Sequence, residues 1–409
     1  MIEYAIPNLR RLRAFEATAQ CGSVSGAART IGLSQPAVTQ AISALEQEVG
    51  SRLLERKATG SFLSQNGTNF LKRVERLLSE VDGAISEVGS ARSRASVSSR
   101  GTLGRKVTST QIRAILATAG AVSFSAAARD LSISEPSLHR SAREFESLVR
   151  RPLFRRTALG LSVNQKGAEL ARRLAVAFRE FEYGLDEMKA AEGEFTGRIS
   201  VGALGIARTI LMPPLVSSFH EVFPNASVEI VDGKYEMLLT DLRHARLDML
   251  VCALRNPPPA EDVCEETLFW DPFSIVVNAD HPLTKLSEVS LKDLVAYEWI
   301  VPAHGTPVRI ACDAIFERGG LRPDSTIEAH SYETVRALLM GANRVAISSH
   351  RQIAFEELMG LLAVIPYSLP RPGRVIGITT RCDWSPAKVQ EKFFHTVLKY
   401  GRALDTERT

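Results

Sequence analysis

The sequence predicts a multidomain chain: two all-α winged helix-turn-helix domains with long linker helices, followed by a two-lobed α/β domain. Three observations predict it. Residues 25–67 and 125–167 align without a gap, and 14 of their 43 positions are identical. Each copy is followed by an apolar stripe at helical spacing. Beyond about Thr196, short β-branched runs alternate with helical ones. A unit that occurs only twice is a duplicated domain, since a solenoid needs a longer stack of repeats.

In the first copy Ser25-Gly-Ala-Ala-Arg29 opens a helix and Ile31-Gly32-Leu33 turns the chain. Ser34 then stands at an N-cap, with Pro36 in the first turn, where its missing N–H costs nothing. Val38, Ile42 and Leu45 recur at i, i+4, i+7 and form the apolar face of a recognition helix over Ser34–Glu46. The other face carries Gln35, Thr39, Gln40 and Ser43, short polar side chains able to hydrogen-bond base edges in a major groove. A plain helical hairpin in a core has no use for that face, nor for the basic residues Arg52, Arg56 and Lys57 that follow. Gly60 and Gly67 bracket a strand signal at Phe62-Leu63, which reads as a wing placed to touch phosphates. The candidate DNA contacts here are Ser34, Gln35, Pro36, Thr39, Gln40, Ser43, Arg52, Arg56 and Lys57.

These residues carry a resemblance. The stretch Asn8–Gly67, with SGAARTIGLSQPAVTQAISALEQEVG at its heart, resembles the N-terminal winged helix of LysR-type transcriptional regulators. Leu54 departs from the family's pattern, which has Phe there; the second copy has Phe154.

The second copy keeps the apolar frame as Leu138, Ala142 and Phe145 but changes the outer face to Glu135, His139, Arg140 and Arg143. Two readings stand. In one, Ser134, His139, Arg140, Arg143 and Arg156 contact bases and phosphates, within a basic region that includes Arg150, Arg151 and Arg155. In the other, the copy is only a dimerisation scaffold, because Glu135 replaces Gln35 where phosphates repel a carboxylate.

After the first wing, Phe70, Leu71, Val74, Leu77, Leu78, Val81, Ile85 and Val88 mark a helix–helix seam; Leu170, Leu174, Phe178, Phe181, Leu185 and Met188 are its counterpart. The resemblance implies that such helices pair between subunits, and here one chain owns two, so pairing within the chain is expected. Ser90–Arg105 is a Ser/Arg/Gly-rich flexible linker. The domains are thus 1–67, 68–106 (linker helix and linker), 107–167, 168–193 (second linker helix) and 194–409. Residues 1–193 carry 28 Lys and Arg against 19 Asp and Glu, whereas 194–409 carry 22 against 27. The basic half is the half with the helix-turn-helix copies, which suits double-stranded DNA as partner.

In the C-terminal half, runs at Arg198–Gly202, Ala226–Val231, Asp248–Ala253, Phe273–Val277, Trp299–Val301, Arg344–Ser348 and Val375–Thr379 read as strands between helices, which argues α/β with mostly parallel sheets. Gly197-Arg-Ile-Ser-Val-Gly202, Met212-Pro-Pro-Leu-Val-Ser-Ser-Phe219 and Phe223-Pro-Asn-Ala-Ser-Val-Glu-Ile230 resemble the first lobe of the family's periplasmic-binding-protein-like effector domain. Lobe I is placed at about 194–269 and 373–409, and lobe II at about 270–372. The resemblance implies a small, often anionic effector in the cleft between the lobes, and a homodimer or homotetramer. Ligands in α/β folds lie beyond strand C-termini and face helix starts. That selects Gly205 and Thr209 after the first strand, and His304, Thr306 and Arg309 at a helix start suited to a carboxylate. Ser331-Tyr-Glu-Thr334 is a further capped helix start, and Arg208 reads as surface charge.

No catalytic motif, metal-ligand spacing or cofactor-binding loop is legible, so an enzyme is not expected, nor a cofactor. Cys21, Cys252, Cys264, Cys312 and Cys382 are scattered, which suggests a reducing cytoplasm without a disulfide framework. A redox-sensing regulator would need a reactive pair, for which only Cys252 and Cys264 offer themselves. No run approaches the ~20 apolar residues of a membrane span. The reading is a DNA-binding regulator controlled by a small effector; the alternatives are a small-molecule-binding protein with a scaffold helix-turn-helix, or a redox sensor.

Overall fold

The computed structural model describes residues 6–57, 60–89, 104–158, 160–255 and 257–406. The linker expected at Ser90–Arg105 lies almost wholly outside the described residues, and so do the side chains of Arg56 and Lys57.

The first winged helix comprises α1 (Leu9–Cys21), α2 (Val24–Ile31), α3 (Gln35–Val49), β1 (Leu54–Lys57) and β2 (Gly60–Leu63), and α4 (Gln65–Gly89) follows. The Ser23 side chain caps α2, two residues before the helix start read at Ser25, and Ser34 caps α3 by accepting from the Ala37 N–H. The recognition helix runs three residues past Glu46 and stops at Gly50, whose φ of 70° ends it in the left-handed region. Val38, Ile42 and Leu45 are buried, and so are Leu12 and Phe15 of α1. Glu46 is exempt from surface duty: its carboxylate accepts the Leu53 N–H at 2.9 Å and the Leu54 N–H at 3.1 Å, so it clips the wing to the recognition helix.

The second unit repeats this as α5 (Ser109–Gly120), α6 (Phe124–Asp130), α7 (Glu135–Val149), β3 (Phe154–Thr157) and β4 (Gly160–Val163), with α8 (Gln165–Ala191) after it. Glu146 makes the same clip to Leu153 and Phe154, at 2.7 and 3.0 Å. Gly67 and Gly167 are shared because each helix start is pressed on the wing: a Cβ would stand 2.0 Å from the Leu53 carbonyl oxygen and 2.2 Å from that of Leu153. Elsewhere the copies differ at a cost. Gly32 and Gly50 have left-handed backbones; their counterparts Ser132 and Arg150 keep φ at 53° without the residue that tolerates it, at about 1–2 kcal/mol each.

The two linker helices α4 and α8 pack on each other within the chain. Phe70, Val74, Leu77, Val81 and Ile85 are buried with Leu170, Leu174, Phe178 and Phe181, each large apolar side chain stabilising by roughly 1.5–3 kcal/mol. Ion pairs flank the seam reciprocally: Arg73 pairs with Glu180 at 2.8 Å and with Glu187, while Arg173 pairs with Glu80 at 3.4 Å and with Glu87. Each contact has its image one hundred residues on, which is the signature of a two-fold interface. Gly184 makes the closest approach possible, since a Cβ there would lie 2.8 Å from the Phe70 ring.

The C-terminal half contains β5 (Arg198–Ala203), α9 (Met212–Val222), β6 (Ser227–Val231), α10 (Tyr235–Arg243), β7 (Met249–Ala253), β8 (Val263–Asn278), α11 (Leu291–Val295), β9 (Glu298–Val301), α12 (Pro307–Gly319), β10 (Thr326–Glu328), α13 (Tyr332–Gly341), β11 (Arg344–Ser349), α14 (His350–Leu358), β12 (Leu362–Ile365), β13 (Gly373–Arg381) and α15 (Lys388–Thr406). Its strands run in the order β10-β9-β11-β8-β13-β7-β5-β6, with β12 also on β8. The expectation of mostly parallel sheets needs correcting. β5 pairs in parallel with β6 and β7, and β9 with β10 and β11, but β8 and β13 are antiparallel to each other and to their other neighbours. The reason is the path of the chain: it leaves lobe I along β8 and returns along β13, so the two strands run side by side in opposite directions, and β8 continues on to pair with β11 and β12 of lobe II. Only the second half of β8 was legible, because Pro272 interrupts the run; it stands opposite Gly373 at the end of the β8–β13 ladder, where no further bond is needed.

One cysteine expectation is also overturned. Cys264 and Cys382 form a disulfide, with Cα atoms 5.0 Å apart; Cys252 is buried and unpaired. A separation of 118 residues hides this pair in the sequence, and the β8–β13 ladder creates it.

Lobe I sits directly on the linker helices. Arg73 donates to the carbonyls of Ser385 at 2.8 Å and Pro386 at 3.1 Å. Asp248, fully buried at the foot of β7, accepts from Tyr183 Oη of α8 at 2.7 Å, from the Ser200 N–H at 2.8 Å and from Arg179 at 3.2 Å. Trp384 Nε1 donates to the same Tyr183 oxygen at 2.9 Å.

Replacing Gly184 by Leu pushes α4 and α8 apart at Phe70. The expected loss is about 1–3 kcal/mol, read as a lower denaturant midpoint for the N-terminal half; an unchanged midpoint would show that the seam does not stabilise the chain.

Candidate nucleic-acid interface and effector cleft

On α3 the structure leaves Gln35, Pro36, Gln40 and Ser43 exposed, with Thr39 half-buried beside them. Ser34 is exposed; its oxygen accepts the Ala37 N–H as the helix cap, which leaves its O–H to donate outward. Arg52 is exposed at the entry to the wing, and Arg56 and Lys57 lie on β1 by backbone. The helix thus presents amide and hydroxyl groups at its N-terminal end, with the Arg52 cation at the entry to the wing, as a major-groove reader with a phosphate contact requires. The second strand of this wing, β2, is held against the body by the Ser61 N–H, which donates to the Gly22 carbonyl at 3.0 Å.

On α7 Glu135, His139, Arg140 and Arg143 are exposed, and Arg156 is exposed on β3. Their surroundings differ from those of the first copy. Arg143 is ion-paired with Glu146 of its own helix at 2.6 Å, so a contact to guanine or phosphate has to displace that pair. His139 lies edge-on to Phe124, with ring centroids 6.3 Å apart. Ser134 caps α7 as Ser34 caps α3. Arg140 and Arg156 are exposed cations of the second reading head. A groove of about 490 Å³, lined by Phe124, Glu135, His139 and Arg156 among others, separates α7 from the wing.

In the C-terminal half, Gly205 follows β5 with φ at 52°, and Thr209 turns its hydroxyl back to the Gly205 carbonyl at 3.4 Å. Arg374 of β13 reaches the same place: its Nη2 lies 3.6 Å from where a Gly205 Cβ would stand. Arg208 is not idle surface charge. It pairs with Asp232 of lobe I and, at 3.5 Å, with Glu333 at the start of α13 in lobe II, so it spans the cleft.

The lobe II candidates are engaged elsewhere. Arg309 donates to Asp313 at 2.9 Å and to the Pro302 carbonyl at 3.1 Å, and lies 3.6 Å from Glu328. Two carboxylates lie beside it, so an effector carboxylate bound there has to displace one of them. Thr306 caps α12 through the Arg309 N–H and donates to the Ala303 carbonyl, which uses its hydroxyl in both directions. His304 is exposed, 4.0 Å from Glu328.

Sequence reasoning missed the group that joins the lobes. Asp271 of β8 is fully buried, and it accepts from Ser349 Oγ of lobe II at 2.5 Å and from Arg374 Nε at 2.9 Å. Burial raises its pKa above the usual carboxylate range, against the pull of Arg374 and Ser349. No short motif marks it; the signal is an acidic residue, Asp271, directly after the apolar run Leu268-Phe269-Trp270. Burial also pushes the Cys252 and Cys312 thiols up to about 12, which leaves them inert packing groups.

Two winged helices and a two-lobed α/β domain define a ligand-responsive DNA-binding protein. The chain belongs to the LysR family and is a DNA-binding transcriptional regulator with an effector-binding domain: the LysR substrate binding domain matches residues 192–400, and the lysR-family bacterial regulatory helix-turn-helix protein matches twice, at 9–68 and 109–168. The HTH-type transcriptional regulator GalR of Pseudomonas putida is 29% identical over 392 residues, 95% of this chain and 96% of that one. The uncharacterized HTH-type transcriptional regulator YybE of Bacillus subtilis is 28% identical over 256 residues, 62% of this chain and 85% of that one. A full-length OxyR variant from Pseudomonas aeruginosa shares the fold, with a TM-score of 0.53 at 24% identity, over 72% of this chain and 95% of that chain.

The hinge and lobe II arginines are separable by stability. Arg374→Ala leaves the buried Asp271 carboxylate with Ser349 alone and is expected to cost about 3 kcal/mol in thermal unfolding. Arg309→Ala, whose partners are half-exposed, is expected to cost within about 1 kcal/mol. Equal losses would contradict the assignment of Asp271–Arg374 as the lobe joint.

Proposed function

We propose that one chain supplies both DNA-reading heads of a LysR-type regulator, and that an anionic effector between the lobes changes how those heads are held. The observation that carries this is the reciprocal pairing of Arg73 with Glu180 and Glu187 and of Arg173 with Glu80 and Glu87. It supports a two-fold arrangement inside the chain, in which two recognition helices address half-sites roughly 34 Å, one DNA turn, apart. Gln35, Thr39, Gln40 and Ser43 read bases from α3. Arg140 and Arg156 are the foremost contacts of the second head, with His139 and Arg143 beside them. Arg52, Arg56 and Lys57 hold phosphates, so affinity falls with salt.

For the effector, Gly205, Thr209, Arg208 and Arg374 offer a cationic rim at the ends of β5 and β13. A carboxylate entering there competes with Glu333 for Arg208. It therefore trades a lobe-to-lobe ion pair for its own contacts, and its differential affinity for the two lobe positions shifts the equilibrium between them. The lobes resemble those of periplasmic binding proteins in being hinged on two strands. The protein works by binding and not by turnover, in the cytoplasm with its DNA, and further copies assemble with it as a homodimer or homotetramer.

The test is a footprint on the DNA upstream of its own gene, with the intact chain and with Arg140→Ala/Arg156→Ala. A footprint shortened by about one helical turn is expected; an unchanged one would mean that the second copy is a scaffold. In the first head, Gln40→Ala is expected to cost about 1–3 kcal/mol at one base position in a mutated-operator titration. Equal weakening on random DNA would remove Gln40 from base reading.

A further inference from the structure

We propose that Cys264 and Cys382 are a reversible thiol–disulfide site that controls how tightly lobe I holds the linker helices. The pair is joined in the structure, and both residues are exposed, so small thiols and disulfides reach them. The chain's other cysteines are unpaired thiols, exposed Cys21 among them. A DNA partner places the chain where the thiol pool keeps cysteines reduced, and disulfides there are usually transient and regulatory.

The position gives the bond its consequence. The β8–β13 ladder ends with Arg381 opposite Val263, so the strands need no cross-link to stay together. Cys382 is the first residue beyond the ladder, and the next four make the dock. The Asp383 carbonyl accepts from Arg76 of α4 at 3.3 Å, Trp384 donates to Tyr183 of α8, and Ser385 and Pro386 accept from Arg73. On the other side, Asp262 lies two residues from Cys264; it pairs with Arg172 of α8 at 3.3 Å and with Arg243 at 2.8 Å. The bond thus ties together the two segments that grip the two linker helices.

The chemistry balances with a low-molecular-weight disulfide, RSSR, as oxidant. One cysteine thiolate attacks RSSR, forming a mixed disulfide and releasing one RSH. The second thiolate attacks the protein sulfur of that mixed disulfide, closes Cys264–Cys382 and releases the second RSH. Two electrons pass to the oxidant, and the two protons leave on the released thiols. Excess small thiol runs the same steps backwards.

The proposal rests on the DNA-reading function only for its outcome, so the test has an arm without DNA. The full chain is equilibrated with glutathione disulfide or with dithiothreitol. Thiols are then alkylated under denaturing conditions and counted by mass, with hydrogen exchange measured in parallel. Two more alkylated cysteines are expected in the reduced form, at Cys264 and Cys382, together with exchange faster by about tenfold or more over residues 382–386. The footprint boundaries on the upstream DNA are expected to move between the two forms. A pair that glutathione disulfide leaves as thiols overturns the proposal, and so does a pair that cycles while exchange stays the same. A footprint that fails in both forms, with exchange still redox-dependent, speaks against the DNA reading and not against this site. Cys264→Ser/Cys382→Ser is expected to match the reduced protein; if it does not fold, reduction of the unmodified chain by a phosphine makes the same comparison.

Discussion

Everything in this molecule depends on the seam between α4 and α8. Two long helices with apolar stripes are unstable alone in water, and in this chain each finds its partner one hundred residues away on the same polypeptide. The seam is also where Arg73 is desolvated, at 6% exposure, between the partner helix and lobe I. Two carboxylates and two backbone carbonyls meet its guanidinium, which is what a buried cation requires. Its image Arg173 makes the same pairs but remains more open, with its side chain 24% exposed, because no lobe covers it. The two-fold relation thus holds for these reciprocal pairs of the helices and is broken by the effector half, which rests on one side only.

The two joints of the molecule use one device. Where α8 meets lobe I, buried Asp248 takes an arginine, Arg179, and a hydroxyl, Tyr183. Where the lobes meet, buried Asp271 takes an arginine, Arg374, and a hydroxyl, Ser349. A carboxylate out of water is costly unless its lone pairs are filled, so each joint is satisfied only when the bodies it links are correctly placed. Apolar contact alone would tolerate sliding. The charged joints instead define a position, and a ligand that disturbs one of them has to supply an alternative.

Much of the N-terminal half was legible because its signals are local. Ser34 and Pro36 at a helix start, Val38, Ile42 and Leu45 on one face, and the Gly67/Gly167 pair all act within a few residues or through the repeat. What stayed hidden is made by tertiary approach. Arg309 looks available at a capped helix start, and only the fold shows Asp313 and Glu328 beside it. Arg208 looks like surface charge until α13 brings Glu333 across the cleft. Pro272 reads as a break, although the ladder it interrupts ends at that residue. Cys264 and Cys382 share no spacing a motif could express, and the register of β13 on β8 alone makes them neighbours.

The unlike faces of α3 and α7 have a consequence for orientation. Two identical heads around a two-fold axis read a palindrome, and a palindrome looks the same from either end. Here one head offers glutamine, threonine and serine, and the other histidine and arginine. The pair is symmetric in backbone but carries two different questions for the DNA. If both heads read DNA, as proposed, a site that answers both has a left and a right, and the chain lands facing one way. With a single effector half resting on one side of the helices, that sense of direction extends to where the regulatory domain stands relative to the start of a gene.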